Sequence, residues 1–312
     1  MGRVALKLAI SCALIAWLVL RIPLTGVAAQ LRSLDGMSLA LGALLSIAAW
    51  WLSALRLHVL APEMRLADVV RMTFIGLYYG TVLPGQVAGD VMKAYRLSPS
   101  QSAPGRAMAA TLVDRVIATF ALFLIGACAT AWVPQAPRAL AWGLMFATAA
   151  ILAGILLFAH PAIHALLLRR SGSAEVGGVR GLPARLASGM QSVMQWPSRL
   201  LKNFLIALIF HALCIAIHLV LARSLHIDLP IAVWVLIYAG VAVLLLLPIS
   251  LAGLGIREGG YVGLLGLFGI AADRALSLSL IFFAYTLLGA ALGWIAELSY
   301  RSVPPRSQHR ID

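Results

Sequence analysis

The sequence predicts an all-α integral membrane protein with about eight membrane segments, two of them helices broken by proline and glycine and related as an inverted repeat. Three observations carry that expectation. Hydrophobic residues fill 62% of the 312 positions and charged residues 11%, where a typical soluble domain carries about 25% charged residues. The apolar residues gather into runs long enough to cross a hydrocarbon layer of about 30 Å. The basic excess, 24 Lys and Arg against 11 Asp and Glu, falls in short stretches between those runs, which is how a chain records its orientation in the inner membrane. This composition excludes a soluble enzyme, a disordered chain and a disulfide-built secreted scaffold. No aromatic-basic motif accompanies the positive charge, so no nucleic-acid partner is expected.

The elements follow in order. Residues 4–20, preceded by Arg3 and carrying Lys7, read as a retained helix starting on the cytoplasmic side, because the cleavage-like Val27-Ala28-Ala29 lies well past the run, behind Arg21 and Pro23. Residues 37–60, 107–132, 139–159, 203–222 and 275–296 each cross by length. Residues 72–89 carry no charge but contain Gly76, Gly80, Pro84, Gly85 and Gly89. Only their first half is expected as helix, about 18 Å at roughly 1.5 Å per residue. Residues 231–247 are halted by Pro248, and the Gly-rich run 253–269 that follows holds Arg257 beside Glu258.

Loop charge sets the topology. Residues 160–202 hold Arg169, Arg170, Arg180, Arg185, Arg199 and Lys202 against Glu175, which marks them as cytoplasmic. Arg65, Arg71, Lys93, Arg96 and Arg106 put both flanks of the first broken segment on that side, so it enters and returns. Arg301, Arg306 and Arg310 make the C-terminus cytoplasmic, like the N-terminus. The expected organisation is one polytopic domain, 1–312: a first half 1–159, a cytoplasmic linker 160–202, a second half 203–298 and a disordered tail 299–312.

The two broken segments resemble each other. Aligning residues 83–93 with 247–257 pairs Leu83 with Leu247, Pro84 with Pro248, Ala88 with Ala252, Gly89 with Gly253 and Lys93 with Arg257. Three ordinary crossings lie between them, an odd number, so the copies enter from opposite faces, as in many secondary transporters. A Pro-Gly break in hydrocarbon frees backbone groups that cost several kcal/mol each unless protein, water or ligand satisfies them. Half-helix ends also bring partial charge to the middle of the membrane. An anionic headgroup is therefore expected at Lys93, Arg96, Arg115 and Arg257, with Gln86, Ser250 and Tyr79 as hydrogen-bonding contacts. Asp90, Asp114 and Glu258 balance the charge, and Pro84, Gly85, Gly89, Pro248, Gly253 and Gly255 make the breaks. The competing reading is close packing, since Gly76/Gly80, Gly85/Gly89 and Gly255/Gly259/Gly263 have small-xxx-small spacing.

Asp114 and Arg115 fall inside a long apolar helix, where each needs a partner, and adjacent helical residues do not face each other. Asp114 is assigned to Lys93 or Arg257, and Arg115 to Asp90, Glu258 or a lipid phosphate. The pairs His160/His164 and His211/His218 lie on shared helical faces but have no carboxylate nearby in sequence to complete a ligand set, so packing is expected and neither metal nor cofactor. Cys12, Cys128 and Cys214 read as buried filler. Trp17, Trp132, Trp142, Trp196 and Trp294, near segment ends, fit an aromatic belt.

The run from Tyr79 through Leu83-Pro84-Gly85-Gln86-Val87-Ala88-Gly89-Asp90-Val91-Met92-Lys93 to Leu97, then Asp114-Arg115, then Pro248-Ile249-Ser250-Leu251-Ala252-Gly253-Leu254-Gly255-Ile256-Arg257-Glu258, resembles the flippase-like transmembrane domain of lysylphosphatidylglycerol synthases. The resemblance spans nearly the whole chain, although many members have Glu-Arg where this one has Asp114-Arg115. It implies translocation of an anionic or aminoacylated phospholipid, or another envelope lipid, in a stand-alone form without the synthase domain. The partners implied are membrane lipids and an envelope-lipid biosynthetic enzyme. A transferase using Asp90 or Glu258 as general base and a non-catalytic scaffold of a lipid-assembly complex are the alternatives. No GxxxxGK[ST] loop is present to bring in ATP.

Overall fold

In hydrocarbon every backbone N–H and C=O must be satisfied within the protein, which a helix does along its own length. The computed structural model describes residues 2–83, 88–97, 104–159, 182–246 and 253–301. Pro84, Gly85, Gln86, Pro248 and Ser250 lie outside these residues, as does the tail from 302 onward. The described residues form twelve helices and no strand: α1 (Gly2–Arg21), α2 (Leu24–Arg32), α3 (Gly36–Leu60), α4 (Leu66–Val82), α5 (Ala88–Leu97), α6 (Pro104–Thr130), α7 (Arg138–Ala159), α8 (Leu182–Met194), α9 (Pro197–Ser224), α10 (Ile231–Leu246), α11 (Ile256–Gly266) and α12 (Ala272–Arg301). Five of them, α3, α6, α7, α9 and α12, are long and apolar enough to cross a membrane, and α1 with α2, bent by 86°, makes a sixth if a bent pair is one span. The chain is a multi-pass membrane protein.

The core has two main parts. Leu122, Leu221, Trp234, Ile237, Leu265 and Leu278 join α6, α9, α10, α11 and α12. Leu57, Ile75, Leu97, Ala110 and Val193 join α3, α4, α5, α6 and α8. Helix α7 packs chiefly on α6 and turns Trp142 and Phe146 outward. The five tryptophans assigned to a belt are all exposed on the bundle.

Three expectations change. The helix of the first broken segment begins at Leu66 rather than Met72, because Asp68 and Arg71 sit in its first turns, where charge does not stop a helix. It is 17 residues long, about 26 Å at roughly 1.5 Å per residue, so its first half is no half-bilayer stub. Within 160–202, residues 182–194 form α8, which packs on α6 and buries Val193. Cys12 and Cys128 lie on the outside of the bundle instead of in its core.

Helix α3 starts on a side-chain cap: Asp35 accepts hydrogen bonds from the backbone N–H groups of Met37 and Ser38 and from the Ser38 hydroxyl. The Met37 and Ser38 N–H groups hold its carboxyl below the usual carboxylate range. A depressed acid contributes stability that is fully present above its unfolded pKa and is lost as the pH falls through the lower folded value. Asp35→Ala is expected to lower the protection factors of the Met37 and Ser38 amides at neutral pH, and acidification of the native protein to lower them likewise, each read by hydrogen exchange relative to the intrinsic rate at the same pH.

Candidate functional site

The site begins where α4 and α5 touch. Gly76, Gly80 and Gly89 let the two backbones meet, and a Cβ on Gly89 would run into the Gly76 carbonyl oxygen. The close-packing reading of these glycines therefore holds, and it does not compete with a site, because the contact sets the position of the next turn of α5. There Asp90 Oδ1 lies 3.3 Å from Lys93 Nζ, while Asp90 Oδ2 lies 3.4 Å from Arg115 Nε on α6. Lys93 is buried and Arg115 half exposed. Gly259 and Gly263, by contrast, have open space where a Cβ would stand, so that part of the small-residue pattern makes no close contact.

The second broken segment arrives through Gly253 and Gly255, at φ 79° and 82°. A side chain there would be strained in the left-handed region, and at Gly255 it would also press on Leu14. Glu258 then folds back over the start of α11, accepting hydrogen bonds from the Gly255 N–H at 2.6 Å, Arg257 Nε at 3.1 Å and the Ser279 hydroxyl at 3.4 Å. A carboxylate is favoured at that end of a helix. Arg257 is 9% exposed, its guanidinium over the Phe283 ring, with Nη2 buried and lacking a hydrogen-bond partner among the described residues.

Both segments face one cavity. A space of about 370 Å³ is lined by Gly80, Gly89, Asp90 and Lys93 from the first, by Leu245 and Arg257 from either side of the second, and by Arg115. Among the described residues its charged lining is three cations to one acid, an arrangement suited to an anion. It adjoins a more apolar space of about 290 Å³, lined among others by Trp50, Tyr238, Tyr261 and Phe282, and Arg257 borders both.

Other assigned residues are held elsewhere. Arg96 and Tyr79 are bound to Glu297 of α12: Arg96 pairs with both carboxylate oxygens, its Nη2 standing 2.9 Å from Oε1, and the Tyr79 hydroxyl donates to Oε1 at 3.2 Å. Neither borders the 370 Å³ cavity. Asp114 meets neither Lys93 nor Arg257. Arg56 of α3 holds it through Nε at 2.5 Å and Nη2 at 3.0 Å, and Asn203 of α9 donates one bond to Asp114 Oδ1 and another to the Arg56 carbonyl. Arg115 does meet Asp90, one of its assigned partners.

The two buried histidines are fastened in place. Ala118 and Cys214 offer carbonyl oxygens, which only accept, so His211 donates from Nε2 and His218 from Nδ1. The other ring nitrogens then accept from the hydroxyls of Tyr238 and Tyr261, at 3.0 and 2.7 Å.

The class so defined is a multi-pass helical membrane protein with a cationic crevice between two interrupted segments. The sequence profile described as the lysylphosphatidylglycerol synthase TM region matches residues 4–293, and the chain belongs to that family. Its members are membrane-embedded and associated with lipid-related function. Comparison with curated proteins gives no match.

Proposed function

We propose that the chain translocates a lipid with an anionic or aminoacylated headgroup across the inner membrane, as a flippase or scramblase. The observation that carries this is the 370 Å³ cavity, to which the first broken segment brings Lys93 and the second Arg257. Moving a bare phosphate through hydrocarbon is opposed chiefly by the loss of its hydration. A crevice with fixed cations replaces part of that hydration while the acyl chains stay in the bilayer. In this reading the broken segments are an inverted pair among about eight membrane segments, both termini are cytoplasmic, and residues 160–202 join the halves. The cargo is supplied by an envelope-lipid biosynthetic enzyme. Asp90 serves as counter-charge to Lys93 and Arg115.

The test is transbilayer movement of fluorescent phosphatidylglycerol in liposomes containing the purified protein. Lys93→Gln leaves Asp90 with Arg115, and Arg257→Gln leaves Glu258 with the Gly255 N–H and Ser279, so each variant is expected to fold. A lost charge-assisted hydrogen bond is worth roughly 1.5–3 kcal/mol. Each variant is therefore expected to slow movement by about tenfold or more, at roughly 1.4 kcal/mol per tenfold. Equal rates in empty and protein-containing liposomes would overturn the proposal.

A further inference from the structure

A separate space of about 230 Å³ lies among α3, α6, α9 and α10, bordered by Ser53, Arg56, Arg115, Thr119, His211 and Tyr238. Among the described residues no acidic side chain lines it. Arg56 is 5% exposed, and Asp114 takes only Nε and Nη2, leaving Nη1 buried with no hydrogen-bond partner among the described residues. The guanidinium is a planar fork, so a carboxylate bound along the Nε–Nη2 edge leaves Nη1 on the edge away from it. An unsatisfied buried donor is costly, and this one belongs to a side chain bordering a space large enough for a phosphate group. Arg115 borders the same space as a second cation, held by Asp90 only at 3.4 Å.

The space shares walls with the crevice. Ser53, Arg115, Phe210 and Leu245 line both, and Phe210 and Leu245 also line the apolar space beside them. These two side chains, on α9 and at the end of α10 just before the second break, border all three spaces. Of the crevice and the second space, Lys93 and Arg257 line the crevice alone, Arg56 lines the second space alone, and Arg115 is the cation common to both.

We infer that this space is a second binding chamber for the phosphate diester of a lipid, with Arg56 and Arg115 as its cationic contacts and Phe210 and Leu245 on the walls it shares with the crevice. The inference rests on the translocation reading. Inorganic phosphate shares the chemistry but not the tether to the bilayer. The chamber's rim includes Leu246, which is 53% exposed on the bundle surface, and this favours a ligand whose tails remain outside.

The test is site-specific photocrosslinking in lipid nanodiscs, with p-benzoylphenylalanine at Thr119, which borders only the second chamber among the cavities described here, or at Thr81, which borders the crevice. Probes are phosphatidylglycerol and a neutral glucosyl diacylglycerol. At Thr119 phosphatidylglycerol is expected to crosslink about tenfold more than the neutral lipid, one charge-assisted contact being worth at least a factor of ten. Arg56→Lys keeps the ion pair with Asp114 but removes the Nη1 donor. It should erase that preference at Thr119 and leave Thr81 unchanged. Should Arg56→Lys fail to fold, Arg115→Gln must lower the preference at Thr119. Equal labelling by both lipids at Thr119, with phosphatidylglycerol still preferred at Thr81, would overturn the second chamber and leave the crevice standing. No preference at either position would overturn both. Loss of the Thr119 crosslink on adding inorganic phosphate, with Thr81 unaffected, would make the chamber a free-phosphate site and overturn the lipid assignment.

Discussion

Replacing Arg56 with alanine is expected to lower stability by about 3–5 kcal/mol, the usual cost of removing one partner from a buried ion pair. Asp114, 3% exposed, keeps only the Asn203 amide as a hydrogen-bond donor among the three groups that now bind it. The carboxylate then stays charged in a low-dielectric site or takes up a proton, and both cost free energy. The pair joins α3 to α6, and Asn203 extends it to α9 by bonding Asp114 and the Arg56 carbonyl together. The loss is therefore expected to loosen three helices in one cooperative step, read as a lower midpoint in thermal unfolding of the detergent-solubilised protein. The double variant Arg56→Met/Asp114→Leu removes both charges and refills the volume. It should recover most of the loss, since replacing both members of a buried pair with apolar groups is often nearly neutral. A double variant as unstable as the single would show that these side chains act through shape rather than charge.

The spans were legible because each long apolar helix is a local pattern. Helices α3, α6, α7, α9 and α12 fall on the runs read from composition and length alone. Where the reading stopped short, a local feature was overweighted: Arg71 near the start of α4 reads as loop charge, yet charges are cheap near a helix end. Helix α2 was not foreseen, since its nine residues between Pro23 and Ser33 are too few for a periodic signal.

In the site, Asp90, Lys93, Arg115 and Arg257 could be picked out because they accompany the breaks or interrupt an apolar run. Arg96 and Tyr79 carry the same local signature, but their partner, Glu297, is 201 residues from Arg96 in sequence, and nothing near Arg96 announces it. Arg56 could have been found. It is an ionisable residue inside residues 37–60, and the rule that demanded a partner for Asp114 demands one for Arg56 as well.

Glycine-to-alanine substitutions along the α4–α5 contact are expected to fall in a fixed order of damage. Alanine is worth roughly 1 kcal/mol more than glycine inside a helix, so propensity alone favours every one of them. At Gly80 the added Cβ meets Gly89 Cα at 3.7 Å, an ordinary contact, and Gly80→Ala should be neutral or stabilising. At Gly76 the Cβ comes to 3.1 Å from the Gly89 carbonyl oxygen, a tight fit that absorbs the gain. At Gly89 it meets the Gly76 carbonyl oxygen well inside van der Waals contact, with Gly80 Cα at 3.1 Å behind it. Backbone cannot swing aside as a flexible side chain does, so α5 must move bodily, at a cost of about 1–3 kcal/mol for an overpacked contact. That displacement carries Asp90 and Lys93 with it, one residue and about one turn farther along α5. Gly89→Ala should therefore slow phosphatidylglycerol movement by at least as much as Lys93→Gln, with Gly80→Ala close to the wild-type rate. If Gly80→Ala proved the more damaging of the two in both thermal unfolding and transport, the backbone contact at Gly89 would not be what holds Lys93 over the crevice.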